Sequence, residues 1–230
     1  LTTSGRTVDD SYSIGGVAGG STDVFRFNVL GAYEEGGDTD FPGGVVGGSG
    51  FERSVYGASI GGRFANQEVS LDLRRQNTGY SGNPPFPMDI RFFDTDFARA
   101  AWSVDVSGVE INVAASYSDV SHGMNNFEQR PAPPPMMQRE TLADATTRGL
   151  EASATFAAGP GMLQLGADYD DVDRNVLITN PNNPAFFLNN LPDIETQRTG
   201  VFAEWVGDLG AFNGEFGLRV DDHDDSAGMA

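Results

Sequence analysis

The residues of this chain whose types and spacing best suit a chemical role are a histidine and four methionines. His122 and Met124 are separated by one residue, so in an extended segment their side chains share a face, about 7 Å apart at Cα. Imidazole accepts copper in either oxidation state, and soft thioether sulfur selects Cu(I). The sequence therefore predicts His122 and Met124 as ligands of a copper ion.

The other three methionines lie in segments predicted below to be polar loops, and they are Met88, Met136 and Met137. Exposed loops do not need thioethers for packing, so we predict these residues as positions that capture the metal. The alternative is that they pack loops over the mouth of the fold.

Other chemistry has little support in the sequence. The chain has no cysteine and no Gly-x-Ser-x-Gly motif, and its second histidine, His223, lies in an acidic run (221–225) without a visible Ser/His/Asp arrangement. We expect no enzymatic activity and no cofactor besides the copper ion. A formal charge of −19 argues against nucleic acid as a partner, because phosphate binding needs clustered Lys and Arg.

The elements that must position these residues are β-strands. From Val109 to Tyr117 the odd-numbered residues are apolar or aromatic and most even-numbered ones are polar, and 56–64 and 150–156 alternate in the same way. Period two indicates a strand with one face in an apolar medium. The predicted strands are 11–19, 23–35, 53–65, 68–78, 94–106, 109–120, 147–157, 161–173, 196–207 and 212–222.

Short turns and long connections alternate between these strands. The long connections are 36–52, 79–93, 121–146 and 174–195. This asymmetry is typical of bacterial outer-membrane β-barrels, with short turns in the periplasm and long loops outside. We therefore predict an all-β fold, an antiparallel transmembrane β-barrel. The alternative is a soluble antiparallel β-sandwich, whose strands are usually shorter.

Aromatic residues support the barrel. Phe64 and Phe156 precede short turns, whereas Tyr33, Tyr117 and Tyr169 precede long connections. Amphipathic rings prefer the boundary between lipid and water, so this placement predicts two girdles.

Three acidic stretches lie near predicted strand ends, at 34–40, 168–173 and 221–225. We expect them to be solvated bases of loops, or sites for divalent cations among lipopolysaccharide. No EF-hand spacing is present.

Two segments resemble the TonB-dependent copper receptors, and the resemblance is best over 50–150. They are Pro87–Asp96 with the strand that follows it, and Ser121–Phe127 with Met136 and Met137 downstream. The resemblance implies a copper ion held by a His-x-Met pair of the barrel and a Cys-x-x-x-Met pair of the plug. His122 and Met124 match the barrel half, and the plug half falls outside this chain, which has no cysteine.

The resemblance also implies that residues 1–230 are a partial barrel domain. The start (1–4) is not a signal peptide, and the end (221–230) lacks the terminal aromatic strand that completed barrels of this kind usually have. Connections of about 15 to 25 residues suit the large plugged transporters, whose barrels have about 22 strands. We expect about ten of those strands here, with the plug and the barrel's C-terminus missing.

The implied function is uptake of a scarce ligand across the outer membrane of a Gram-negative bacterium. The expected partners are copper, outer-membrane lipid and lipopolysaccharide, and a TonB complex that acts through the missing N-terminal region. Three alternatives stay open: a TonB-dependent receptor for a siderophore or other organic ligand, a small complete porin-like barrel, and a soluble acidic adhesin domain.

Overall fold

An eleven-stranded antiparallel sheet dominates the structure, a computed structural model that describes residues 1–228. Its strands follow one another in sequence order, and a separate two-stranded hairpin, β4–β5, lies outside it. The strands are β1 (Thr2–Arg6), β2 (Ser11–Ser21), β3 (Phe25–Gly36), β4 (Thr39–Phe41), β5 (Gly44–Val46), β6 (Phe51–Phe64), β7 (Gln67–Thr78), β8 (Asp89–Val106), β9 (Val109–Asn125), β10 (Glu140–Ala158), β11 (Gly161–Thr179), β12 (Phe187–Asp208) and β13 (Asn213–Ala227). Among residues 1–228, no helix has the length and apolarity needed to cross a membrane.

All ten predicted strands are present, and the all-β antiparallel prediction is confirmed. Three elements were not predicted: β1, the β4–β5 hairpin inside the connection 36–52, and a 3-10 turn at Pro135–Met137. The connections 22–24, 65–66, 107–108, 159–160 and 209–212 gather at one end of the sheet, the short-turn end. The connections 7–10, 37–50, 79–88, 126–139 and 180–186 gather at the other, the long-loop end.

The strands extend further into the long-loop end than the sequence predicted. β9 continues to Asn125 instead of ending at 120, and β10 begins at Glu140 instead of 147. Both faces of these extensions are largely polar, so the hydrophobic alternation that marks a strand is lost there. β13 also runs to Ala227, through the acidic run 221–225 that we expected to be a solvated loop base; residues 229–230 lie outside the described chain.

An almost continuous register sorts the side chains onto two faces, the apolar face and the polar face. One cross-strand row of the apolar face joins Val69, Trp102, Val113, Ala152, Ala167, Val201 and Val220. One row of the polar face joins Asp72, Arg99, Ser116, Gly149, Asp170, Arg198 and His223. A slip of one residue would exchange the two rows, so the register is strongly specified.

Aromatic rings lie near both ends of the apolar face. At the short-turn end, the ring centroids of Phe25 and Phe64 are 5.7 Å apart. At the long-loop end, Tyr12 and Tyr33 pack at 5.9 Å, and their hydroxyls donate to Glu35 at 3.1 and 2.8 Å. The apolar face is therefore bounded by rings that have a polar tip toward the long-loop end.

Strand β9 continues well past this aromatic boundary. Its ring at the boundary is Tyr117, and the strand ends only at Asn125. A rise of about 3.3 Å per residue places that end about 25 Å further along the strand. His122 and Met124 lie in this extension, outside the segment that the apolar face would hold in a membrane.

Deep burial is confined mostly to polar side chains. Of residues 1–228, Val104 is the one buried hydrophobic residue, while Val201 and Leu218 on the apolar face are exposed. The most deeply buried polar residues all lie at the long-loop end, and they are Ser81, Asp89, Asn125 and Asn180. The apolar face thus fits an apolar surrounding, and the packed part of the molecule is the long-loop end.

The two faces should respond very differently to a charge. Val113→Arg puts a guanidinium on the apolar face and should cost about 2–4 kcal/mol of folding free energy if the site is near the bilayer midplane. Asn112→Arg, on the polar face between Ser103 and Ser153, should cost much less. Denaturant titration of the full-length protein folded into lipid vesicles measures both values, and equal costs would contradict the assignment of the faces.

Candidate functional site

The structure places His122 and Met124 in strand β9, which corrects the sequence prediction that they lie in a loop. Alternate strand positions put both side chains on the polar face, as the spacing predicts. His122 pairs with Phe93 of β8 and Ala143 of β10, and Met124 pairs with Ile90 and Thr141 of the same strands. The pair therefore lies in the middle of three paired strands and is held by their backbone hydrogen bonds.

The imidazole of His122 lies against an aromatic ring and keeps one nitrogen free. Its ring centroid is 4.9 Å from that of Phe93. Its Nε2 atom is buried and has no hydrogen-bond partner within residues 1–228. Burial lowers the pKa of His122, because desolvation disfavours the imidazolium. The ring is thus neutral at pH 7, which is the form that binds a metal.

The residue between the two candidate ligands has to be small. A Cβ on Gly123 would overlap the ring of Phe92, its partner on β8. The register of β8 shifts between Ile90 and Phe92, so Arg91 forms a bulge. This bulge sets Phe93 beside His122 and Ile90 beside Met124.

A third predicted residue, Met88, joins this pair. It lies just before β8, and the Thr141 hydroxyl donates to its sulfur at 3.4 Å. Thr141 is also the cross-strand partner of Met124 and lies on the polar face. The structure therefore brings one imidazole and two thioethers to a single area of the long-loop end.

The other two predicted residues lie apart from this group. Met136 and Met137 end a 3-10 turn, Pro135–Met137, in the connection 126–139. Their side chains are 63% and 62% exposed. They form a separate thioether pair at the tip of the long-loop end.

A buried ion pair fixes the long connections above the site. Asp89 is only 2% exposed, and its carboxylate accepts from Arg130 Nε at 2.6 Å and from the backbone N–H of Asn83 at 2.8 Å. Arg130 also donates to the carbonyl of Phe86 at 2.8 Å. The guanidinium of Arg130 thereby joins the connections 79–88 and 126–139. We call these two connections together the cap.

Below the site, the polar face carries a ladder of arginine and aspartate. Arg198 and Arg219 both contact Asp168, at 3.0 and 2.7 Å, and they also pair with Asp170 and Asp221 respectively. These carboxylates lie in strands, which corrects our expectation that they are solvated loop bases. Asp168, Asp170 and the two arginines line a concave recess of about 660 Å³ on the polar face.

Glycines let the large side chains of this ladder lie flat. A Cβ on Gly200 would overlap the guanidinium of Arg219, which crosses that position to reach Asp168. A Cβ on Gly166 would overlap the ring of Phe202 in the same way. The side chains consequently run along the wall instead of away from it.

A second acidic group lies on the opposite side of the sheet. The carboxylate oxygens of Asp171, Asp173 and Glu195 come within 4.8 Å of one another. Arg148 donates to Asp171 at 2.8 Å and to Asp173 at 3.0 Å. This guanidinium satisfies part of the group, which is also in strands and not in a loop base.

Sequence reasoning missed the residues that hold the site in place. Thr141, Arg130 and Asn180 are far from their partners in sequence, and no local pattern marks them. A partial signal existed for Asp89, since it follows Met88 in the segment that carried the family resemblance.

Comparisons with known proteins agree with this architecture. The sequence profile described as TonB dependent receptor-like, beta-barrel matches residues 11–228. No curated relative matches the sequence.

Solved structures share the fold at low sequence identity. The copper transporter OprC superposes with a TM-score of 0.82 at 16% identity, over 95% of this chain and 36% of that chain. The FpvAI–pyocin S2 complex gives 0.71 at 13% identity, over 95% and 36%. The siderophore receptor PirA from Acinetobacter baumannii gives 0.66 at 14%, over 96% and 37%. The chain thus spans a little over a third of each of these proteins.

Breaking the buried ion pair should loosen the cap. Arg130→Gln leaves the carboxylate of Asp89 buried without its cation, which should destabilise the cap by about 3 kcal/mol. Hydrogen exchange and limited proteolysis over 79–88 and 126–139 should both accelerate. Arg174→Gln is the control, because Arg174 is exposed and forms no ion pair within residues 1–228. Equal protection of the cap in both variants would contradict this role.

The cap should also tolerate mild acid. The hydrogen bond from Arg130 and the backbone N–H of Asn83 hold the pKa of Asp89 below its usual range. A lowered carboxyl pKa contributes stability above the ordinary value of about 4, and this is lost only as the pH falls through the lowered value. Hydrogen-exchange protection of the cap should therefore be the same at pH 7 and about pH 5. In Arg130→Gln, burial without the cation raises the pKa of Asp89, so protection should instead increase as the pH falls toward about 5.

Proposed function

Because this chain belongs to the TonB-dependent receptor-like β-barrel family, we propose that it is part of an outer-membrane receptor that takes up copper. The observation that carries this proposal is the buried Nε2 atom of His122, which lacks a partner within residues 1–228. Met124 follows on the same face of β9, and its cross-strand partner Thr141 contacts the sulfur of Met88. A buried polar atom without a partner costs free energy, and a metal ligand bond would remove that cost.

The three donors suit copper better than harder ions. Thioether sulfur from Met88 and Met124 favours Cu(I), and neutral imidazole from His122 accepts copper in either state. Within residues 1–228 no carboxylate forms a hydrogen bond or ion pair with these donors, so the set has no charge of its own. Such a set discriminates against Mg²⁺ and Ca²⁺, which prefer oxygen ligands.

The position of the donors on strand β9 indicates where copper would bind during transport. The site lies past the aromatic boundary of the apolar face, at the long-loop end, which we assign to the cell exterior. Copper would reach Met136 and Met137 first and then the deeper group of Met88, His122 and Met124. The further steps belong to components outside this chain. A plug completes the ligand set, and a TonB complex moves the plug.

The ladder on the polar face suits the inner wall of such a receptor. Its aspartates are paired with Arg198 and Arg219, so those carboxylates are neutralised. Glu151 and Glu204 line the same recess and form no ion pair within residues 1–228. The apolar face would contact outer-membrane lipid, and the long-loop end would lie among lipopolysaccharide. The copper transporter OprC supports the proposal through its shared fold alone.

A receptor for an organic chelate is the second candidate. Tyr80, Phe86 and Phe187 are exposed at the long-loop end, where rings could stack on an organic ligand. PirA, which shares the fold, is a siderophore receptor. This alternative does not use the free nitrogen of His122, so removal of that ring separates the two candidates.

Copper binding should depend on His122 and Met124, the two candidate ligands in β9. In the full-length receptor, His122→Ala and Met124→Ala should each reduce bound copper, because the remaining ligands cannot close the coordination sphere. Met88→Leu, which keeps the volume of the side chain, should weaken binding less. Elemental analysis of the purified protein gives the copper content per chain.

The control for this experiment is His223→Ala. His223 lies on the polar face of β13, far along the sheet from β9, and its loss should leave copper content unchanged. If the His122→Ala, Met124→Ala double variant keeps the copper content of the wild type, the copper proposal is wrong and the organic ligand is favoured.

A further inference from the structure

Met136 and Met137 are the most exposed methionines of residues 1–228, and hydrogen bonds hold the backbone that carries them. The three backbone carbonyls of their 3-10 turn all accept hydrogen bonds. Asn180 Nδ2 donates to Pro135 at 3.2 Å and to Met136 at 3.1 Å, and Asn126 Nδ2 donates to Met137 at 3.2 Å.

The donors of this turn are themselves held in place. Asn180 is 3% exposed, and its side-chain oxygen accepts from the backbone N–H of Asn182 at 2.8 Å. Arg139 adds a donor to the carbonyl of Met136 at 2.9 Å, and its guanidinium lies 4.1 Å from the centroid of the Phe186 ring. The backbone that carries the two thioethers is therefore fixed, which keeps their Cα atoms at the surface of the long-loop end.

The deeper methionines have the opposite environment. Met88 and Met124 are partly buried, and the sulfur of Met88 accepts a hydrogen bond from Thr141. A sulfur that accepts a proton donor and is shielded by neighbours is a poorer nucleophile toward a dissolved oxidant. The chain thus carries two classes of thioether within one end of the fold.

From this contrast we propose that Met136 and Met137 form a paired oxidation site that responds to dissolved peroxide. Each sulfur attacks one oxygen of hydrogen peroxide, an S–O bond forms as the O–O bond breaks, and water leaves. The sulfur loses two electrons and the peroxide gains them. The product is methionine sulfoxide, which methionine sulfoxide reductase converts back to the thioether.

Oxidation would change what the tip of the long-loop end can bind. A sulfoxide presents a polar, hard oxygen in place of a soft sulfur, and soft sulfur is the donor that selects Cu(I). The consequence for copper loading rests on the proposed function, whereas the oxidation itself does not. Oxidant would then slow capture at the tip and leave the group of Met88, His122 and Met124 intact.

Peptide mass spectrometry of the full-length receptor tests the site. Purified protein is treated with hydrogen peroxide, and sulfoxide at each methionine is followed over time. Met136 and Met137 should oxidise about tenfold faster than Met88 and Met124, because susceptibility follows exposure. Similar rates for all four residues would overturn the proposal.

Copper loading gives a second readout with a matched variant. Peroxide should slow the loading of Cu(I) into wild-type protein, and treatment with methionine sulfoxide reductase should restore it. The Met136→Leu, Met137→Leu variant keeps the side-chain volumes, should load slowly from the start, and should not be slowed further by peroxide. Equal slowing of wild type and variant would place the sensitive group elsewhere and overturn the proposal. If wild-type protein binds no copper, the proposed function fails, while the ranking of oxidation rates still decides the oxidation site.

Discussion

The backbone register across the sheet is the constraint on which the other features depend. A transmembrane strand must place every N–H and C=O in a hydrogen bond with a neighbouring strand, because lipid offers no replacement. From β6 to β11 the pairing through the apolar face runs without interruption, and the shifts occur at Arg91 and near Val176, both at the long-loop end. Irregularity is found where water can reach the backbone, and that is also where the candidate ligands lie.

The difference between the part of the sheet with an apolar face and the long-loop end also explains which residues are buried. In the part of the sheet with an apolar face, side chains are exposed to the surroundings, and the sheet has no conventional core there. At the long-loop end the molecule packs against itself, and polar groups such as Asp89 and Asn180 supply the contacts. A cap built from charged and amide groups is directional, so it holds the connections in one arrangement above His122 and Met124.

Much of the fold could be read from the sequence, because the period-two pattern and the alternation of short and long connections are local. What failed was the length of the strands past Tyr117, since both faces of β9 are polar there and the alternation stops. Asp168 and Asp221 fell inside the predicted strands 161–173 and 212–222, but we expected them to be solvated, because their pairing with Arg219 leaves no local signal in the sequence. The spacing of His122 and Met124 was informative, whereas the approach of Met88 depends on Thr141, 53 residues away, and no local pattern predicts it.

The flat arrangement of side chains over Gly166 and Gly200 bears on the bore of a barrel built from this sheet. An arginine side chain that stands perpendicular to a strand projects several ångströms from it. Several such side chains around a barrel would close much of its cross-section. Here the guanidinium of Arg219 lies along the wall, because the glycine beneath it has no Cβ to lift it. At this position the wall therefore carries a charged side chain that projects little into the bore.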